Sequence, residues 1–355
     1  MNVGTMLRNM SSQGFSSVLL PQFRVTVNSR CGRNCFFCRP SGEGVSTPPN
    51  VDLAIEDLIK VARVVRESGI DGIKLTGGDP ALYPALEQAV SDLRTVAGFS
   101  EVEVISRHPI IGRRAARLAE SGVTQFNISL DTLDPHLHHE ITGKDDHTSV
   151  IDALRTVIAT GVPVKVNMVV MAGVNDSEIG ALAAWCAAEG VRTLKLLDVI
   201  RDLDEGAESF AKKLALKRSK VMSDLYVPLE TITSQLSAAA AQMTVRTQGG
   251  LGHPMTVLTM DDGFEVVVKD SRAGAWYGDV CRDCPLFPCH DALMALRLTS
   301  DARLQFCLLR EDVVVDLVPV LRSGGDLRPI IGRALETYAG AKFHHVAPLD
   351  VVSAS

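Results

Sequence analysis

The sequence predicts an α/β protein, a partial (β/α)6 TIM-like barrel followed by a cysteine-rich C-terminal module. Three observations predict it. From residue 23 to about 200, six short β-type stretches alternate with helical ones, the order that gives a parallel sheet with right-handed crossovers. A closed eight-unit barrel needs roughly 250 residues, so six units imply an open one. The strands also alternate apolar with polar residues, whereas strands buried on both faces read as continuous apolar runs.

The strand candidates are "FRVTVN" (23–28), "GIKLTG" (72–77), "EVEVIS" (101–106), "QFNISL" (125–130), "PVKVNMVV" (163–170) and "TLKLLDVI" (193–200). Side chains alternate across a strand. Phe23, Val25 and Val27 therefore share one face, and Arg24, Thr26 and Asn28 the other. Lys74 and Thr76, Asn127 and Ser129, and Lys165 and Asn167 repeat the pattern. The apolar faces pack under helices, and the polar faces line a concave binding cavity. A solvent-exposed polar face is the blander alternative. Between strands, "LAIEDLIKVARVVRESG" (53–69) and "SVIDALRTVIATG" (149–161) are amphipathic and end in Gly, as helices often do.

The barrel is expected over 20–200. Residues 201–245 are of mixed charge and read as a helical connector ending in a helix. Residues 246–330 form a Gly- and Cys-rich module, and 331–355 a tail without clear structural signal.

The chain has 355 residues, 46% hydrophobic and 22% charged, with a net charge of −6. That is ordinary globular composition, without the basic excess that a nucleic-acid polymer requires. No apolar run is long enough to span a membrane, and the N-terminus lacks a signal-peptide core. The expected location is the cytoplasm, where thiols stay reduced.

Seven of the eight cysteines fall in two groups. Cys186, alone in "LAAWCAAEG", reads as a small buried hydrophobe. Cys31, Cys35 and Cys38 crowd into "RCGRNCFFCRP" on the loop after the first strand. One disulfide would leave a thiol over, and tetrahedral zinc wants four ligands. Three thiolates suit an iron–sulfur cube with one iron left open.

C-x3-C-x2-C in this place resembles the radical S-adenosylmethionine (SAM) enzymes. The resemblance implies three cysteines holding a [4Fe–4S] cluster whose fourth iron chelates SAM, a 5′-deoxyadenosyl radical as product of reductive cleavage, and a reductant such as flavodoxin or ferredoxin. "KLTGGDP" (74–80) resembles the family's Gly-Gly-Glu motif with Asp79 in the acidic place, although a simple strand-to-helix turn reads the same way. "NISLDTLDP" (127–135) and "VKVNMVVMAGVNDSEI" (164–179) are similar to the GTP 3′,8-cyclases of molybdenum-cofactor biosynthesis and their relatives. By that likeness Gly77, Gly78, Asp79, Ser106, Ser129 and Asn167 surround SAM, and Arg24, Lys74 and Lys165 meet an anionic substrate.

The second group, Cys281, Cys284, Cys289 and Cys307, with "LRLTSDARLQFC" (296–307), resembles the cyclases' auxiliary-cluster signature. It implies a second [4Fe–4S] cluster, with a zinc site as the alternative. Departures accompany the likeness. Twenty-two residues separate Cys284 from Cys307 and include the extra thiol Cys289. The substrate-gripping Arg-x-Arg becomes Ala295-Leu296-Arg297, Lys195 stands for an arginine on the sixth strand, and nothing matches the catalytic Gly-Gly C-terminus. These departures favour a small anionic nucleoside- or sugar-containing substrate, as in nucleoside-antibiotic enzymes such as cytosylglucuronic acid decarboxylase. GTP 3′,8-cyclisation is the alternative, and a non-catalytic electron-transfer protein the second. The "HLHH" of 136–139 reads as surface histidines at a helix start.

Overall fold

The computed structural model describes residues 20–38, 50–200, 222–247, 254–270, 275–276, 279–285, 287, 295–310, 312–338 and 342–343. Cys289, residues 201–221 of the connector and 344–355 of the tail lie outside them.

All six expected strands form: β1 (Gln22–Thr26), β2 (Gly72–Thr76), β3 (Glu101–Ser106), β4 (Gln125–Ser129), β5 (Val164–Val170) and β6 (Thr193–Asp198). They pair in parallel, in chain order. The helices between them are α1 (Ile55–Glu67), α2 (Leu86–Thr95), α3 (Ile110–Ser121), α4 (Pro135–Thr142), α5 (His147–Ile158) and α6 (Ile179–Ala188). Local chemistry sets their ends. Asp134 caps α4 by accepting from the His136 and Leu137 amides, with Pro135 at the first helical position, and Gly143 closes it at φ 69°.

The two strand faces separate as the alternation requires. Phe23, Val25, Leu75, Val104, Phe126, Val166 and Leu196 are fully buried beneath Leu58, Val61, Val65, Leu86, Leu93, Leu118 and Leu154 of the helices. Each such side chain contributes about 1.5–3 kcal/mol of burial, so the strand–helix layer carries the stability and leaves the polar face free for binding. Cys186 is fully buried in this core, where burial pushes its thiol up to about 12.

The remainder corrects the expected organisation. After α7 (Leu229–Ser237) the segment expected to end in a helix continues into β7 (Gln242–Thr247), the first strand of an antiparallel set with β8 (Pro254–Thr259) and β9 (Glu265–Lys269). β9 pairs in parallel with β6. Beyond β10 (Ala275–Trp276) and the short α8 (Asp279–Arg282), β11 (Ala295–Leu298) pairs in parallel with β1 and continues antiparallel into β12 (Arg303–Gln305) and β13 (Val314–Asp316). The result is one twelve-stranded sheet in the order β13-β12-β11-β1-β2-β3-β4-β5-β6-β9-β8-β7. The C-terminal module thus contributes strands to the same sheet as the barrel. Its strands cover both edges of the open barrel, edges that would otherwise present unpaired backbone groups. The module closes with α9 (Val318–Ser323) and the start of α10 (Arg328–Glu336), and the tail holds the rest of α10 and β14 (Lys342–Phe343), which pairs with β10.

Candidate active site

The C-terminal ends and polar faces of the barrel strands surround a cavity of ≈ 340 Å³, the size of a small-molecule site (~300–1,000 Å³). Cys31, Cys35 and Cys38 line one part, with Gly77, Gly78, Asp79, Ser106, Ser129 and Asn167; Arg24, Lys74, Lys165 and Lys195 line another. The structure therefore brings together every expected barrel residue.

The cysteine loop is fixed from outside. The Asn34 and Phe36 amides donate to the Thr142 and Ile141 carbonyls at 3.0 and 3.3 Å. Arg33 reaches the Asp146 carboxylate with both terminal nitrogens, at 3.0 and 2.7 Å. His138 Nε2 lies 3.1 Å from the same carboxylate and its ring packs edge-on to His147. His138 is buried, which corrects the surface reading of "HLHH"; only His136 and His139 are exposed.

The glycines of "GGD" admit backbone, not side chain. A Cβ on Gly78 would lie 2.2 Å from the Arg30 carbonyl oxygen, and one on Gly77 2.7 Å from that of Asn28. The Gly78 and Asp79 amides donate to these two carbonyls in the order Asn28 and Arg30, at 2.8 and 2.6 Å. The strand end thus seats the backbone that leads into Cys31. Asp79 is buried, and its carboxylate accepts from the Ala81 amide, Ser106 Oγ and the Arg107 and His108 amides. Asp79 and Ser106 tie the β2 and β3 loops together at the cavity wall. Ser129 and Asn167 are register partners on β4 and β5, and both face the cavity.

The donor set of the loop fits a cluster. Three thiols line one wall, soft ligands of the kind iron–sulfur clusters take. Burial, with Asp79 next, pushes Cys31 up to about 12, and burial likewise raises Cys35 against the opposing charge of Arg107. A thiolate is therefore favoured there only with a cation bound. Among the described residues no three His, Cys, Asp or Glu side chains converge on a single metal ion; in a cube each thiolate takes its own iron.

The basic part of the cavity gathers like charges, with Glu103 bonded to Lys74 and Asp198 also on the lining. Arg24, Lys74 and Glu103 are register neighbours across β1, β2 and β3. Lys74 Nζ bonds Glu103 at 3.0 Å, and Gln125 and Asn127 donate to the same carboxylate at 3.0 and 2.9 Å. Burial pushes Glu103 up, but Lys74 and Lys165 outweigh it and hold the carboxyl at about 2. Burial lowers Lys74 to about 8, helped by Lys165 and Arg24 against the pull of Glu103. Lys195 is lowered well below its usual value by burial and by Lys74, Lys165, Lys269 and Arg24.

Arg297 sits within the sheet. It is buried beside Arg24 in the β11–β1 register and donates to the Ala295 and Phe306 carbonyls. It is not among the described residues that line the cavity. Of the second cysteine group, Cys281 and Cys307 are buried and Cys284 half-buried. Arg310 Nη1 donates to the Val280 carbonyl at 2.7 Å. Leu308, next to Cys307, lines the cavity. The sequence reading missed Glu103, Arg107, Asp131 and Lys269. Only Glu103 carried a signal, on the polar face of β3.

Comparison with known proteins points the same way. Residues 25–186, which include the cysteine loop and the polar strands, match the family model described as the radical SAM superfamily. A GTP 3′,8-cyclase from Peptoclostridium acidaminophilum is 28% identical over 313 residues, 87% of this chain and 86% of that one. One from Moorella thermoacetica is 29% identical over 319 residues, 88% of this chain and 89% of that one. Among solved structures, Streptococcus suis SuiB bound to S-adenosylmethionine superposes with a TM-score of 0.54 at 12% identity, over 84% of this chain but 63% of that longer one, a likeness of fold. The chain carries a match to the radical SAM superfamily over residues 25–186, and over most of its length it is similar to proteins named GTP 3′,8-cyclase.

Proposed function

We propose that the chain is a GTP 3′,8-cyclase, with Cys31, Cys35 and Cys38 as ligands of its [4Fe–4S] cluster. Bound there, the cluster and SAM would supply the 5′-deoxyadenosyl radical. Gly77, Gly78, Ser129 and Asn167 offer the wall for SAM, with Asp79 and Ser106 holding that wall in shape. Arg24, Lys74, Lys165 and Lys195 receive the phosphates. The observation that carries this reading is the gathering of Arg24, Lys74, Lys165 and Lys195 in the same cavity as the three thiols. Burial and the neighbouring positive charges disfavour protonated Lys74 and Lys195, and a polyanion placed among them offsets that cost. Cys281, Cys284 and Cys307 serve a second cluster, with Cys289 as the further candidate ligand. The sequence departures favour a nucleoside-antibiotic enzyme; the naming of relatives over most of their length as cyclases supports GTP more strongly.

The test is anaerobic reconstitution with iron and sulfide, reduction, addition of SAM and GTP, and mass spectrometry. A 3′,8-cyclised nucleotide is the expected product. One observation keeps a second reading in play: Arg297, the remnant of the substrate-gripping pair, is buried in the sheet. Formation of 5′-deoxyadenosine with GTP unchanged would favour it and send the search to glycosylated nucleosides.

A further inference from the structure

Arg107 follows the last residue of β3 and lines the cavity together with Cys31, Cys35 and Cys38. Two contacts fix its side chain. Nη1 pairs with the Asp131 carboxylate, and the guanidinium carbon stands 5.5 Å from the ring centre of Phe37, the second of the two residues between Cys35 and Cys38. The two charged side chains are only 12% and 1% exposed. Asp131 is itself held by the Val169 amide at 2.9 Å. A buried Arg–Asp pair is poor evidence of stabilisation, because desolvating both charges offsets their attraction. Its position beside three thiols calls for a different role.

We propose that Arg107, oriented by Asp131 and Phe37, sets the reduction potential of the iron–sulfur cluster held by the three cysteines. Reduction brings one electron from a low-potential donor such as dithionite or a flavodoxin, breaks no bond and makes the cluster one unit more negative. A fixed positive charge nearby stabilises that extra negative charge, more strongly in a low-dielectric site than in water. Cluster potentials respond to such neighbouring charge and to solvent exposure. Asp131 acts in the opposite sense, so the pair fixes the potential as a difference between two opposed charges. The inference rests on the three cysteines as ligands, and the iron and sulfide content of the unaltered protein tests that separately.

The experiment is a redox titration of the anaerobically reconstituted full chain without SAM or substrate, followed by electron paramagnetic resonance of the reduced cluster. Arg107→Met is expected to lower the midpoint by about 59 mV, a tenfold shift against reduction for one electron. Asp131→Asn is expected to raise it, and Arg107→Lys to fall between Arg107→Met and the unaltered protein. A merely structural pair would disturb the cluster alike in both variants. Midpoints that move in the same direction, or not at all, overturn the proposal. Should Arg107→Met retain no iron, Asp131→Asn decides: a raised midpoint supports the proposal, and an unchanged or lowered one overturns it.

Discussion

Gly78 has room for backbone and for nothing more. A methyl group there would stand 2.2 Å from the Arg30 carbonyl oxygen, an atom that cannot swing away as the end of a flexible side chain would. Gly78→Ala is therefore expected to cost about 1–3 kcal/mol, as overpacking does. It should also loosen the loop that carries Cys31, read as a lower urea midpoint and less iron per chain after reconstitution. Lys74 gives a second expectation, in pH. Burial holds it at about 8 against an ordinary 10.5. The folded chain thus binds fewer protons than the unfolded one in that window, and the cost to stability sets in as pH falls below 10.5 and is complete below about 8. An anion that restores the charge must take up a proton when it binds above pH 8. Affinity for inorganic triphosphate should accordingly fall from pH 8 to 9.5, by at most about tenfold per pH unit for each lysine concerned. Calorimetry in two buffers of different ionisation enthalpy would report the proton uptake directly. Unchanged affinity across that range would show that the lysines do not meet the anion.

At the level of elements, the close approach of α3 and α5 rests on one small residue. A Cβ on Gly112 would lie 2.9 Å from the Ala153 Cα. Gly112→Val is expected to force the helices apart at about 1–3 kcal/mol, and Ala153→Gly to recover part of the loss in the double variant, both measured by thermal melts. A fully additive pair would mean that the two helices do not crowd there. The strands of the barrel were legible because a period of two survives in isolation: Lys74 and Thr76 against Ile73 and Leu75 already separate cavity from core. The pairing of β11 with β1 was not legible. A four-residue strand of "ALRL" has no local mark of its partner, and only the unpaired edge of β1 specifies one. The same limit explains the site. Ser129 and Asn167 follow from alternation, while Arg107 gains its place from Phe37 and Asp131, contacts that join three separate loops. His138 was read as exposed because its neighbours His136 and His139 are; burial was decided by Asp146 and His147, which the chain brings back later.

For the whole molecule, the consequence of one sheet is that the barrel does not end where its strand–helix repeat ends. β1 is covered by β11 and β6 by β9, strands that arrive 269 and 67 residues after the ones they protect. Lys269 and Leu308, from those later segments, also line the cavity. A fragment cut after residue 200 would expose two parallel edges flanked by apolar side chains, the condition for edge-to-edge aggregation. It is expected to be insoluble or to unfold without cooperativity, and co-expression of residues 201–355 to restore a soluble complex. The full chain should melt as one unit, with tryptophan fluorescence and far-ultraviolet circular dichroism changing together. A soluble fragment 1–200 with a sharp transition would mean that the barrel is complete in itself. The C-terminal strands would then be additions to the sheet, and the cavity's basic part would owe its shape to the first six strands alone.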